Sequence, residues 1–548
     1  MPSIPHAGHR LTWTSALIVL AAGYAHALSM AWPFATVGPL ATGQAWGGLQ
    51  LASLSVLVWQ MAPALATRRA GQAAWLAWLF ACAMLAGTFW WLFISMHFYG
   101  GLPAPLTVLA VLALAAALAL YYALAGALYA LLAPASALGR ALVFAGLWLL
   151  AELARVRIFT GFPWGEGGYA HIDGWARPLA GWVGVHGLTL LAALVGALLP
   201  ILLAGWRQAR RAHSADATRQ ALACAALLAA VWGVSSLPAA TLAVAPGSVL
   251  RPPLSVTLVQ GNIPQDQKFQ PGTGVQDALG YYGAQLQAAG TALVVLPETA
   301  LPLLPDQLPP AYWAALKQRF ASGSQAALIG LPLGSERDGY SNAVLGLQPG
   351  APDYRYDKQH LVPFGEFVPP FFRWFIRLMD IPLGDFRRGA LVQPAFEWQG
   401  ERLAPNICYE DLFGEEIGAQ FADPARAPTV LVNVSNIAWF GNTVAIDQHL
   451  NISRMRALEF ARPMLRATNT GATAVIDAQG RVTHALARHT RGVLVAQVQG
   501  TDGLTFHARW VSRFGLAPWW LLGGGVLLLA VLARWRSARR LESTPGQG

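Results

Sequence analysis

The first 240 residues of this chain consist largely of long apolar stretches that are almost free of charged side chains. Each stretch approaches or exceeds the roughly 20 residues with which an α-helix crosses a bilayer. Such stretches lie near 11–30, 44–66, 72–96, 105–131, 139–155, 179–205, 219–240 and 515–533. Within lipid the polar groups of the backbone must hydrogen-bond to one another, so these apolar stretches favour transmembrane helices. The sequence therefore predicts a membrane domain of about seven helices in 1–240, and a transmembrane helix with a basic tail in 514–548.

The basic residues indicate how these helices are oriented. The net charge is +10, yet 241–513 holds 22 Lys and Arg against 22 Asp and Glu, of 37 and 27 in the whole chain. The positive excess therefore surrounds the apolar spans, which argues against a nucleic-acid partner. Lys and Arg accumulate on the cytoplasmic side of membranes, and here they mark alternate loops at Arg10, Arg68, Arg69, Arg140, Arg207, Arg210, Arg211, Arg219, Arg534, Arg536, Arg539 and Arg540. Both termini are predicted to be cytoplasmic, and 241–513 extracytoplasmic.

Within 241–513 the composition becomes that of an ordinary globular domain, and the apolar runs become short. Strands are predicted at 254–260, 292–296, 326–331, 343–347, 403–408, 429–434, 472–477 and 492–498. Helices are predicted between them, at about 275–289, 309–321, 412–421 and 443–461. Strands that are apolar on both faces and alternate with helices favour a layered α/β domain.

Three short polar motifs in this domain lie where strands are expected to end: Pro297-Glu298-Thr299, Tyr356-Asp357-Lys358 and Cys408-Tyr409-Glu410. A thiol attacks carbonyl carbon as a thiolate, and its free pKa near 8.5 leaves little thiolate at neutral pH. A carboxylate whose pKa is raised by burial would accept the thiol proton. An ammonium and a backbone N–H would stabilise the oxyanion. Glu298, Lys358 and Cys408 are therefore predicted to form an activated cysteine nucleophile.

The same three motifs resemble the Glu-Lys-Cys motifs of the nitrilase superfamily. Within that superfamily, the resemblance extends over essentially the whole chain to the apolipoprotein N-acyltransferases of bacterial lipoprotein maturation. It includes the number and placement of the apolar spans. Further similar segments lie at 159–164, 259–265, 360–366, 438–441 and 454–459.

The resemblance implies an αββα sandwich on a base of membrane helices, in the bacterial inner membrane with the catalytic domain on the periplasmic side. It implies that Cys408 takes an acyl chain from a phospholipid, typically phosphatidylethanolamine. The resulting thioester would acylate the N-terminal amine of the diacylglyceryl-cysteine of an apolipoprotein. The expected enzyme needs no cofactor and is a monomer.

Residue by residue, the resemblance implies that Glu298 is the general base and that Lys358 and the Tyr409 N–H hold the oxyanion. Glu366 and Glu410 would orient Lys358 or the thiol. Candidate gating or binding residues for the substrates are Phe269, Trp439, Trp374, Phe375 and Trp164.

The chain departs from the family pattern at two positions. Phe269 stands where the family usually has Trp, and so lacks the indole N–H donor. Ile437 stands where the family usually has a carboxylate. Neither departure affects the three residues expected to carry out the chemistry.

Residues 363–390 contain a dense apolar cluster that includes Trp374 and Phe375 and is interrupted by Arg373 and Arg377. Above a bilayer, such a segment is typical of an interfacial arm whose arginines reach the headgroups. The alternative is a helix that packs on the core of its own domain.

Other functions and other pairings of these residues remain open. Water could replace the amine as acceptor, which would make the protein a membrane-tethered amidase, or a degenerate nitrilase-like domain could serve a transporter or lipid receptor. His360 or His449 could form a Cys–His pair with Cys408, although Glu298 and Lys358 would then be unused. Asp447, His449 and Glu459 fit no metal-ligand spacing. Glu152 is expected to pair with Arg155 or Arg157 rather than to act as a functional membrane carboxylate.

Overall fold

The computed structural model of the protein describes residues 12–37, 40–236, 252–368 and 386–542. The predicted domain boundary near residue 240 lies outside the described residues. So do Trp374 and Phe375, together with most of the predicted interfacial arm.

Eight helices in the described part of the chain are long and apolar enough to cross a membrane, as predicted. The first seven are α1 (Trp13–Met30), α2 (Gly47–Ala66), α3 (Ala70–Phe89), α4 (Ala104–Leu132), α5 (Ala137–Arg157), α6 (Ala180–Ala212) and α7 (Ala215–Ser235). Between α3 and α4 the chain continues as a helical turn and a π-helical segment, Ser95–Tyr99. The eighth spanning helix, Ala517–Glu542, packs against α5 near the C-terminus.

The domain between these spanning helices contains two six-stranded mixed sheets among its described residues. The strands are β1 (Leu254–Gln260), β2 (Leu293–Val295), β3 (Ala326–Ser335), β4 (Gly339–Leu347), β5 (Tyr354–Asp357), β6 (Phe396–Trp398), β7 (Glu401–Ile407), β8 (Val430–Ser435), β9 (Met464–Thr468), β10 (Ala474–Ile476), β11 (Val482–Ala485) and β12 (Gly492–Val498). The sheet orders are β12-β1-β2-β3-β4-β5 and β11-β10-β9-β8-β7-β6. In each sheet three neighbouring strands are parallel: β1, β2 and β3 in the first, and β7, β8 and β9 in the second.

The two sheets stack face to face, with helices on both outer faces. The helices are α8 (Gly274–Ala288), α9 (Pro310–Ala321), α10 (Gly414–Ala419), α11 (Ala445–Phe460) and α12 (Phe506–Phe514). Val256 and Leu328 of one sheet share a core with Val432 and Leu465 of the other. Separate apolar cores join α8 and α9 to the first sheet, and α10, α11 and α12 to the second. This arrangement confirms the predicted αββα sandwich, and it arises because strands apolar on both faces must be covered twice.

The membrane helices and the sandwich share one apolar core rather than meeting at a polar surface. Tyr409, Phe413, Ile446 and Met455 of the sandwich belong to the same buried cluster as the spanning helices. The segment after β7 and the helix α11 therefore lie directly on the membrane domain. Cys408 is at the beginning of that segment.

Candidate active site

The three predicted site residues lie at or just beyond the ends of strands in the two sheets. Lys358 directly follows β5 and Cys408 directly follows β7, while Glu298 comes three residues after β2. Cys408 has a positive φ of 52°, a left-handed conformation that is uncommon for a residue with a side chain. The chain turns sharply there from β7 into the short 3₁₀ helix Cys408–Leu412.

Lys358 is fully buried, and its ammonium lies between two carboxylates. Its Nζ is 3.2 Å from Glu298 Oε1 and 2.9 Å from Glu366 Oε1. Asn342 Nδ2 donates to the same two oxygens, at 2.7 and 2.8 Å. Burial opposes the charge on Lys358, but the carboxylates of Glu298 and Glu366 raise its pKa above the usual value. Lys358 is therefore a fixed positive charge beside the thiol.

Glu298 has both carboxylate oxygens engaged, since its second oxygen accepts from the Asn436 N–H at 2.8 Å. Burial alone would raise the pKa of Glu298, which was the expectation from the sequence. The ammonium groups of Lys358 and Lys268, together with the Asn342 amide, outweigh burial and hold the pKa below its usual value. In the resting site Glu298 is consequently an ionised carboxylate.

Lys268, like Asn342, belongs to this site although no sequence motif identifies it. Its side chain is buried, and Nζ donates to the backbone carbonyl of Glu298 at 3.1 Å. Burial lowers the pKa of Lys268 to about 8, although the carboxylate of Glu298 partly opposes that shift. A single lysine beside the exposed Phe269 carries no motif that would have identified it.

The pKa of the Cys408 thiol is shifted upward, whereas that of Glu298 is shifted downward. Burial and the Glu298 carboxylate raise the pKa of Cys408 to about 12, against the opposing charge of Lys358. The thiol therefore keeps its proton at neutral pH. Any base that removes this proton would have to act as the sulfur attacks its substrate, because the free thiolate is disfavoured.

Glu410 connects the two catalytic strand ends through their backbones. Its Oε1 accepts from the N–H groups of Gln359 and His360 at 2.6 and 3.2 Å. Its Oε2 accepts from the Ile407 N–H at 2.6 Å and from the Tyr356 hydroxyl at 2.9 Å. The residues flanking Lys358 and Cys408 are thus held by one buried carboxylate.

The aromatic candidates occupy different environments. Phe269 is exposed on the sandwich, and Trp439 makes an edge-to-face contact with Tyr99 of the membrane domain. Trp164 is buried instead, where its indole donates to Gln448 Oε1 at 2.8 Å. Ile437, at the other departure from the family pattern, is buried in the apolar core shared by the two domains.

Neither histidine is arranged to activate the thiol. His360 Nδ1 faces Glu416 at 3.0 Å, and its Nε2 faces the Thr160 carbonyl at 3.1 Å. His449 lies against the backbone carbonyl of Cys408 and the Asp411 carboxylate. The described geometry therefore favours Glu298 and Lys358 over a Cys–His pair.

The predicted pairing of Glu152 with an arginine is confirmed. Arg155 Nη2 lies 2.6 Å from Glu152 Oε2, and both side chains are fully buried. The other terminal nitrogen of Arg155 donates to the carbonyls of Phe162 and Trp164. The pair thus anchors the loop that follows α5, and the Tyr409 hydroxyl donates to Gly161 in that loop at 3.1 Å.

Comparison with known proteins gives matches over both domains. Residues 27–198 match the apolipoprotein N-acyltransferase N-terminal domain family, and residues 255–503 match the carbon-nitrogen hydrolase family. An apolipoprotein N-acyltransferase of Verminephrobacter eiseniae is 55% identical, covering 93% of this chain and 94% of that relative. Similarly named proteins of Ralstonia nicotianae and Bordetella bronchiseptica are 46% and 43% identical, covering 89% and 97% of this chain and 89% and 99% of those relatives.

Proposed function

The chain belongs to the apolipoprotein N-acyltransferase family, and we propose from this and from the site that it transfers an acyl chain from a phospholipid to an apolipoprotein. The acyl chain would pass through a thioester on Cys408 to the N-terminal amine of a diacylglyceryl-cysteine. Phosphatidylethanolamine is the proposed donor. The proposed domains are 1–240, 241–513 and 514–548, with the protein acting as a monomer.

The observation that carries this proposal is the arrangement of charges around Cys408. A buried ammonium, Lys358, lies within hydrogen-bond distance of the Glu298 carboxylate, and both interact electrostatically with the thiol. A neutral thiol, an ionised base and a fixed cation are the groups that acyl transfer through a thioester requires.

In the first half-reaction, Cys408 Sγ attacks the ester carbonyl carbon of the phospholipid while Glu298 takes the thiol proton. The carbonyl oxygen becomes an oxyanion, which Lys358 and the Tyr409 N–H stabilise. The carbon–oxygen bond then breaks, and the lysophospholipid leaves with the proton that Glu298 returns. An S-acyl bond on Cys408 remains.

In the second half-reaction, the amine of the apolipoprotein attacks the thioester carbon, and Glu298 accepts a proton from the amine. The same oxyanion site is used again. The carbon–sulfur bond breaks, the amide forms, and the thiolate regains its proton from Glu298. Because one oxyanion site serves both half-reactions, a defect there must slow both.

Membrane association follows from the eight apolar helices, and both proposed substrates are lipids. We propose a periplasmic site in the inner membrane with both termini cytoplasmic, as the distribution of Arg residues supports. Phe269 and Trp439 are proposed to contact substrate. Trp164 is proposed to support substrate binding from its buried position. Trp374 and Phe375, in the predicted interfacial arm, are proposed to contact lipid.

The test is intact-protein mass spectrometry of purified enzyme incubated with phospholipid. We expect one added acyl chain in the wild type, its loss in Cys408→Ala, and its loss in Glu298→Gln. Acylated wild type should then discharge onto a diacylated lipopeptide and not onto water. Cys408→Ala protein that still acylates the lipopeptide would overturn the mechanism, and rapid hydrolysis would identify an amidase.

A further inference from the structure

The backbone carbonyl of Cys408 is held by two side chains that take no part in the proton transfers described above. Asn433 Nδ2 donates to it at 3.3 Å, and His449 Nε2 lies 3.2 Å from it. Asn433 belongs to β8, while His449 belongs to α11. Both side chains are fully buried, so solvent does not compete for these contacts.

Arg466 on β9 determines which atoms of these two side chains donate. Its Nη2 lies 2.6 Å from His449 Nδ1, and its Nη1 lies 3.1 Å from Asn433 Oδ1. A guanidinium can only donate, so His449 Nδ1 must accept and the proton must reside on Nε2. By the same reasoning the Asn433 oxygen faces Arg466 and its NH₂ group faces Cys408. One cation therefore orients both donors toward a single carbonyl.

His449 is kept neutral in this position. Burial lowers its pKa, and the adjacent Arg466 lowers it further, although Asp411 opposes this shift. Asp411 Oδ1 shares the Nε2 proton at 2.9 Å, and Ser453 donates to Asp411 Oδ2. The arrangement can therefore donate to the Cys408 carbonyl without becoming charged.

We infer that Arg466, His449 and Asn433 are positioning residues for the oxyanion site, because they hold the peptide that joins Cys408 to Tyr409. In a trans peptide the C=O and N–H bonds point in opposite directions. Two donors on the Cys408 carbonyl thus fix the plane of the peptide and direct the Tyr409 N–H outward from the opposite edge of the peptide. They also polarise that N–H through the amide, since hydrogen bonds in a chain strengthen one another.

This inference rests on the proposed function, and it predicts a specific kinetic pattern. His449→Leu removes a donor, and we expect rate constants for thioester formation and for transfer to the lipopeptide to fall by the same factor, about 10- to 100-fold. Direct removal of an oxyanion donor costs roughly 10²–10³ in kcat, and here one of two supports is lost. KM for phospholipid should not change.

His449→Gln is the conservative variant, because its amide can donate to Cys408 while its oxygen accepts from Arg466. It should recover most of both rate constants. The matched control is Asn451→Leu, a buried change on the same helix whose side chain donates to Met30 and Gly43 instead. It should leave both rate constants at their wild-type values.

Alkylation of Cys408 by iodoacetamide separates positioning from general disruption of the site. Alkylation displaces iodide and forms no oxyanion, so its rate in His449→Leu should equal that of wild type. The inference is overturned by equal acylation and transfer rates in wild type and His449→Leu, or by a parallel loss of alkylation. Persistence of acyl transfer in Cys408→Ala would instead refute the proposed function itself.

Discussion

Asn342→Asp replaces the amide that joins the two carboxylates of the site with a third carboxylate of the same shape. Asn342 Nδ2 lies 2.7 Å from Glu298 Oε1 and 2.8 Å from Glu366 Oε1. The substitution therefore removes two hydrogen bonds to ionised oxygens and brings three like charges together. Its volume is unchanged, so the effect should be electrostatic rather than one of packing.

The magnitude follows from what the donor contributes. A hydrogen bond to a charged group contributes about 1.5–3 kcal/mol, and 1.36 kcal/mol corresponds to a tenfold change in an ionisation constant. Loss of the Asn342 donor should therefore lower the ionisation constant of Glu298 roughly 10- to 100-fold. Repulsion from the new carboxylate lowers that constant further. The apparent pKa belongs to the cluster of carboxylates rather than to one residue.

The direction of the pH effect can be stated from the pKa of Glu298. In the wild type this pKa is lowered, so the base stays ionised through the weakly acidic range. The variant raises it, so protonation begins at higher pH and the acid limb of thioester formation moves upward by one to two pH units. On acidification we therefore expect the variant to lose rate at a pH where Glu298 of the wild type is still ionised.

Thioester formation should be followed by rapid quenching and mass spectrometry across pH 5 to 8.5, with phospholipid in mixed micelles. Adding Glu366→Gln to Asn342→Asp restores the original number of carboxylates, and the acid limb should move back toward that of the wild type. A folded Asn342→Asp protein with an unshifted acid limb would show that Asn342 does not control the ionisation of Glu298.

Two further predictions test the surroundings of the site. Lys268→Met removes a charge that lowers the pKa of Glu298, so the acid limb of thioester formation should again move to higher pH. Burial lowers the pKa of Lys268 itself to about 8, so a rate change near pH 8 in the wild type should disappear from the variant. If that rate change survives in the variant, Lys268 is not its source. Arg155→Leu leaves the buried Glu152 carboxylate without its cation and should lower the free energy of unfolding, measured chemically in micelles, by about 3–5 kcal/mol. The double variant Arg155→Leu with Glu152→Leu should recover much of that loss, and an Arg155→Leu protein as stable as the wild type would contradict the argument.

Apolar strands of the sandwich were predictable because burial on both faces leaves a continuous run in the sequence. The predicted bounds of β1 and β12 agree with the structure, and those of β2 differ by one residue at each end. The short polar strands β5, β6 and β11 were missed. Each lies at or next to the edge of a sheet, where one side needs no apolar neighbour.

The buried strand β9 was missed for a different reason, because Arg466 interrupts its apolar pattern. That arginine is acceptable in the interior only because Asn433, His449 and Asp411 surround it. These partners come from three other segments of the chain, so no local pattern could reveal them. Glu298, Lys358 and Cys408 were recognisable because each lies in a short motif, whereas Lys268 and Asn342 acquire their roles through long-range contacts alone.

The two sides of the Cys408–Tyr409 peptide are both connected to one loop of the membrane domain. On one side the Tyr409 hydroxyl donates to Gly161. On the other side the His449 ring, which faces the Cys408 carbonyl, stacks on Trp164 at a centroid distance of 5.4 Å. Since Arg155 of α5 holds that loop through the carbonyls of Phe162 and Trp164, the orientation of the Cys408–Tyr409 peptide depends on a membrane helix. The spanning helices therefore help to position the proposed oxyanion peptide as well as holding the enzyme at the bilayer.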